Sequence, residues 1–391
     1  MIHHDSREYG QAVKEAQIHL EETIQKKAAS AIQVIEKVQD EQPNDRIVGT
    51  HGIRFAYRTE EAPIPIKGDD VVLLPKHTIL MGTRQHNTDN AFEEDMHKHA
   101  LNQAAGRAGV PETFVNRMLE RPYGAELICE NLNTIFAKEG PERLLVRSVK
   151  GAVRGVLSDA YRRLDSRPLI EMFAKSCQEI GAVPIEGVGG DLRFALKAVL
   201  PKAYLVGTGK QGNEEALAFG LQFSHSDFGC GALSLSVVYI RCWCTNTATR
   251  ESLLRQRHLG KRLEDDVVYA QETYEADTRA TTLALRDNIR GALGPANIET
   301  MVAAVNKALD TSIEPKKFFE RGGELEKLKL SKGEVEQARD VYMNAGVEVL
   351  PRGDSLYRMS NTLSWIAQTS ETAERRLELE RAAGQLLDKV A

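Results

Sequence analysis

Leu144-Leu-Val-Arg-Ser-Val-Lys-Gly-Ala-Val-Arg-Gly-Val-Leu-Ser158 is the stretch on which the fold class turns. Leu145, Arg147 and Val149 fall on one side and Val146 and Ser148 on the other, the period-two pattern of a strand. Residues 168–180 follow as a helix, with Pro168 in its first turn and Gly181 past its end. Four further strands are predicted at 183–188, 192–206, 217–224 and 232–243. Upstream, 46–58 and 71–75 read as short extended pieces. Helices are predicted at 90–120, broken at Gly109-Val110-Pro111, and at 123–138, stopping at Gly140-Pro141. From 247 onward the chain reads as mostly helical, with helices at 263–290, 296–309, 332–344 and 360–389. Strands clustered in the middle with helices on both sides favour an α+β fold over a doubly wound sheet. The expected architecture is a central antiparallel or mixed sheet flanked by helices. It divides into an N-terminal helix (1–40), an α+β core (41–262) and a helical C-terminal region (263–391).

Residues 9–39 form the long N-terminal helix. Val13, Ala16, Leu20, Ile24, Ala28, Ala31, Ile35 and Val38 recur every three or four residues. Such a stripe suits a helix packed on its own body or a coiled-coil arm for oligomerisation. The chain has 391 residues, of which 42% are hydrophobic and 27% charged, enough to bury a core. Its net charge of −5 excludes a histone-like basic binder, so any nucleic-acid contact must come from local clusters. Five scattered cysteines do not make a disulfide framework and point to a reducing compartment. The polar N-terminus lacks the apolar run of a signal peptide, and no stretch has the length of a membrane helix. The expected location is cytoplasmic.

Several segments carry a resemblance. Val153-Arg-Gly-Val-Leu-Ser-Asp-Ala-Tyr-Arg-Arg-Leu-Asp165 is followed by Pro168-Leu-Ile, then by a Ser-His-Ser-Asp turn at 224–227. Ile240-Arg-Cys-Trp-Cys-Thr-Asn-Thr247 has Arg257-His258 downstream. Asn361-Thr-Leu-Ser-Trp365 has Glu380-Arg-Ala-Ala-Gly384 behind it. Over about residues 120–390 the chain resembles the phage/plasmid-like family, a domain of unknown function. The resemblance implies a phage- or plasmid-borne protein in a bacterial host cell, associated with replication or recombination. It assigns no chemistry.

The motifs that suggest catalysis each have a plainer reading. Gly207-Thr-Gly-Lys-Gln-Gly212 matches the dinucleotide-binding spacing, which requires a helix starting at the third glycine. The segment after it reads better as a strand, which makes the loop a hairpin connection. Ser224, His225, Ser226 and Asp227 are consecutive and cannot align as a triad. Cys242-x-Cys244, with Cys230, His225 and His258, lacks the paired spacing of structural zinc and reads as buried thiols. His97-x-His99 does not share a helix face and reads as solvated surface. Glu93-Glu94-Asp95 and Glu264-Asp265-Asp266 read as helix-start charges. No catalytic residue, metal site or cofactor is assigned.

The basic clusters carry the functional expectation. Arg147, Lys150, Arg154, Arg162 and Arg163 belong to a first group, with Tyr161 among them. Arg250, Arg255, Arg257, Lys261 and Arg262 form a second, just after Arg241 and Trp243. Charge with interleaved aromatics suits the phosphates and bases of a single strand. Intramolecular ion pairs with the acidic helices explain the same clusters. The leading expectation is a non-enzymatic binder of single-stranded DNA or RNA, acting in strand annealing or recombination as a homo-oligomer. One alternative is a protein–protein interaction factor, such as a host-defence antagonist or assembly scaffold. The other is a nucleotide-dependent enzyme using the 207–212 loop.

Overall fold

A computed structural model describes residues 6–65, 71–83, 91–207, 215–242, 247–258, 270–344 and 350–389. The chain opens with α1 (Ser6–Asp40). A first sheet uses β1 (Asn44–Gly49), β2 (Ile53–Pro65), β3 (Val71–Thr83) and β4 (Glu93–Met96). Helices α2 (Lys98–Arg107), α3 (Glu112–Leu119) and α4 (Gly124–Lys138) follow, then β5 (Arg143–Val149) and β6 (Ala152–Ser158). Helix α5 (Ser166–Glu179) leads to the second sheet: β7 (Val183–Gly189), β8 (Phe194–Val199), β9 (Tyr204–Val206), β10 (Glu215–His225), β11 (Leu233–Arg241) and β12 (Thr247–Gln256). The C-terminal helices are α6 (Gln271–Ala292), α7 (Pro295–Asp310), α8 (Pro315–Phe319), α9 (Glu324–Lys327), α10 (Lys332–Met343), α11 (Leu356–Gln368) and α12 (Ala373–Asp388).

The fold is α+β with helices flanking sheets, and the strands form two six-stranded sheets rather than one. The first runs β1-β5-β6-β4-β3-β2, and only its β4–β6 pair is parallel. The second runs β12-β11-β10-β8-β7, with β9 also paired to β10, and is antiparallel throughout. The stretch 144–158 is a hairpin. Lys150 and Gly151 both take positive φ, 51° and 79°, as a two-residue turn matching the twist of the strands requires. Residues 93–96, expected in a helix, form β4, where Glu94 pairs with Arg46 and Asp95 with Arg58. Residues 247–256, expected to open the helical region, form β12, with two register shifts against β11.

Each sheet has its own apolar core. Helices α2 and α4 cover the first, burying Leu101, Ile128, Leu132 and Phe136 against Ile53, Phe55 and Val146. The C-terminal helices and α5 bury Phe173, Leu285 and Leu363 with Leu196, Phe223 and Leu235 of the second. The stripe on α1 packs on the second sheet: Ala16 and Leu20 sit with Ile185, Val199 and Val238, and Ala31 with the larger core. Helix α1 thereby covers β7, which would otherwise be a bare edge. Ser30 Oγ accepts the Gly187 amide at 3.0 Å. A Cβ at Gly187 would lie 2.4 Å from the Ser30 carbonyl oxygen, so the close approach depends on glycine.

The sheets meet at a buried polar junction centred on the turn after β10. Asp227 accepts from the Ser166 amide at 3.0 Å and hydroxyl at 2.6 Å, satisfying the first turn of α5. His225 Nε2 bonds the Leu164 carbonyl at 2.7 Å. The Phe228 carbonyl accepts from Gln103 of α2 at 2.9 Å and lies 3.0 Å from His99 Nε2. The Ser-His-Ser-Asp segment is therefore a structural tie. His97 and His99, expected to be solvated, cap α2 and reach this turn.

Candidate anion-binding site

The structure divides the predicted basic residues into three groups. The first group is committed to internal ion pairs. Arg147 is 1% exposed and binds Asp45 at 2.7 Å, Asp165 at 2.5 Å and the Asp227 carbonyl at 2.8 Å. Burial opposes its charge, but Asp45, Asp227 and Asp165 outweigh burial and raise its pKa. Arg241 is buried and grips Glu215 through two 2.5 Å bonds. Arg162 holds Asp277 at 2.6 and 2.5 Å. Arg154 pairs with Glu41 at 2.6 Å. Arg163 lies over the Tyr274 ring at 4.5 Å and 3.6 Å from Asp45. Lys150 pairs with Asp40, and Arg250 with Asp388. Tyr161 is buried and stacked on His258 at 4.9 Å. This corrects the expectation that Arg147, Tyr161 and Arg241 line an open groove: their side chains hold the two sheets and their strands together.

The second group comprises Trp243, Lys261 and Arg262, which lie outside the described residues, as does Cys244. The third is Arg255 and Arg257, both exposed and with no ion-pair partner among the described residues. Arg255 faces a cavity of about 280 Å³ that it shares with Arg193 and Arg381.

This cavity is assembled from four elements. Arg193 comes from the β7–β8 turn and lies across Gly231, where a Cβ would be 3.2 Å from its Nε. Cys230 and Ser234 come from the β10–β11 turn and the start of β11. Thr249, Arg250 and Arg255 lie on β12, and Arg381 and Gln385 on α12. Ser234 and Arg255 are register partners. Gly384 sets how closely α12 approaches: a Cβ there would stand 1.9 Å from the Thr249 carbonyl oxygen. That close approach brings Arg381 and Gln385, which flank Gly384 on the helix, onto β12.

The positive charge of the cavity is only partly compensated: of its four arginines only Arg250 has an ion pair among the described residues, with Asp388 at 2.5 Å. Arg193, Arg255 and Arg381 have no ion-pair partner among the described residues. The carboxylates nearest Arg381 on its helix are engaged elsewhere: Glu378 by Arg375 at 2.5 Å and Glu380 by Lys197 at 2.7 Å. Burial, then Arg193, then Arg255, push the Arg381 pKa down to about 10, against the weaker pull of Glu378 and Glu380. The buried Arg193 Nε has no hydrogen-bond partner among the described residues. Guanidinium groups gathered in this way, with Gln385, Ser234 and Thr249 as further polar groups, suit a phosphate or other oxyanion.

No family model, curated protein or solved structure matches this chain.

The other motifs resolve as follows. Gly207 follows β9 directly, and its amide donates to Asn306 at 2.7 Å. Residues 208–212 lie outside the described residues. The strands on either side of the loop, β9 and β10, pair antiparallel. A strand follows where a dinucleotide site needs a helix N-terminus. Cys129 and Cys177 are buried, and burial pushes both thiols up to about 12. Among the described residues no cluster of three His, Cys, Asp or Glu side chains could hold a metal ion. None of their helices is long and apolar enough to cross a membrane. Arg193, Arg381 and Gln385 escape sequence reasoning because they lie far from either basic cluster. A usable signal was Gly384, a glycine inside a helix three residues after Arg381, which implies close backbone approach.

Proposed function

We propose that this protein is a non-enzymatic binder of single-stranded nucleic acid, of the phage and plasmid kind that its motifs resemble, and that it seats a backbone phosphate among Arg193, Arg255 and Arg381. The observation that carries the reading is the set of three guanidiniums facing one cavity without a carboxylate partner among the described residues. Such a set is costly to hold empty and is relieved by a bound oxyanion. Arg257, exposed on the same segment, extends the positive surface along the strand path.

The test is fluorescence anisotropy with a labelled single-stranded oligonucleotide across a salt series. Binding weakens with salt. Arg255→Gln with Arg381→Gln weakens it further, and flattens the slope of log K against log salt by about 0.7 for each phosphate that the variant no longer neutralises. Arg154 and Arg162 are unsuitable for this purpose because reversing either breaks an internal ion pair. A folded protein that binds no oligonucleotide at low salt, or variants that bind like the parent, would refute the reading.

A further inference from the structure

A second cavity of about 280 Å³ lies between the C-terminal half of α1 and the β7–β8 turn. Arg193 lines both cavities. The division between them is thin: Leu192 lines the cavity under α1, Cys230 lines the arginine cavity, and the Cys230 thiol donates to the Leu192 carbonyl at 3.3 Å.

The two cavities differ in chemistry. The arginine cavity is cationic. The cavity under α1 has apolar walls from Val34, Val38, Phe194 and Phe228. Its charges cancel locally, Lys37 with Asp191 at 2.7 Å and Arg154 with Glu41 at 2.6 Å. Apart from Arg193, which it shares with the arginine cavity, no cation that lines it lacks an ion pair. Its rim still presents donors and acceptors, including the exposed Gln33 amide, which supplies both. The wall on the sheet side includes Gly187, Gly189 and Gly190; Gly187 lets the α1 backbone approach closely, and at Gly190 nothing lies nearer than 4.0 Å to the position a Cβ would take. An apolar slot with a mixed hydrogen-bonding rim fits a flat heteroaromatic ring bearing donors and acceptors on its edge. Each cavity alone falls just below the roughly 300–1,000 Å³ of small-molecule sites, and the two together fall inside that range.

We propose that the cavity under α1 seats one unstacked base of the bound strand while the phosphate of that nucleotide occupies the arginine cavity, with Arg193 between them. This rests on the phosphate reading above. It makes the contact one nucleotide deep, so that the protein grips a splayed-out base rather than sliding along a continuous groove.

The experiment compares the full-length protein on two labelled strands of equal length, one carrying bases and one built of abasic units. The expected result is that the abasic strand binds about 5-fold to 100-fold more weakly. Val38→Trp, which fills the slot, brings the base-bearing strand down to the abasic level and leaves abasic binding unchanged. Gln33→Ala, at an exposed position, gives a smaller loss in the same direction and serves if Val38→Trp does not fold. Equal binding of both strands with salt dependence intact overturns the base seat and leaves the phosphate reading standing. Failure to bind either strand at low salt overturns both.

Discussion

Arg381→Gln should make the empty protein more stable and the nucleic-acid complex weaker. The fall in the Arg381 pKa from 12.5 to about 10 corresponds to at most about 3 kcal/mol against the charged form in the fold. The side chain is part-exposed, so solvent screening reduces this to about 1 kcal/mol. Gln keeps part of the stem and a polar head while removing the charge, which limits the loss of packing. The sign with pH follows from a cation whose folded pKa is depressed. Its penalty is fully present below about 10 and fades as pH rises from there toward 12.5, so the two proteins converge in strong alkali. The assay is thermal melting of both proteins, with and without a saturating single-stranded oligonucleotide. Ligand at about 100 times its Kd adds about 2.7 kcal/mol to the parent. The variant starts higher and gains less. A variant that melts below the parent without ligand, or gains as much from ligand, would refute the view that this arginine is held at a cost for binding.

Two further outcomes test the supports of the site. Gly384→Ala would gain about 1 kcal/mol of helix propensity in an open helix, but here its Cβ meets the Thr249 carbonyl oxygen at 1.9 Å. The helix must retreat from β12, so a net loss of about 1–3 kcal/mol in urea unfolding is expected, together with weaker oligonucleotide binding as Arg381 moves. His258 is buried, and burial, reinforced by His225, lowers its pKa from 6.5 to about 4. A histidine kept neutral by the fold supplies stability above pH 6.5 that is lost as pH falls from 6.5 to 4, about 3 kcal/mol in all. His258→Phe keeps an aromatic ring against Tyr161 and should flatten the pH dependence of the melting temperature across that window. An unchanged slope would exclude His258 as its source.

The sequence by itself determined the fold class, the long N-terminal helix and most strands of the second sheet. These follow from local periodicity: Leu145, Arg147 and Val149 alternate, and the α1 stripe recurs at helical spacing. It could not determine β4, whose four residues owe their strand conformation to pairing with β3 and β6, or β12, an edge strand whose packing partners include α12, far away in sequence. Nor could it sort the arginines. Arg147 and Arg255 look alike in sequence, yet one is sealed among Asp45, Asp165 and Asp227 while the other has no ion-pair partner among the described residues. Charge state and pairing depend on which distant carboxylates the folded chain brings within a few ångströms. Only the tertiary structure decided that Arg193, Arg255 and Arg381, from a turn, a strand and a helix, would share one cavity, and Gly384 is what lets them meet.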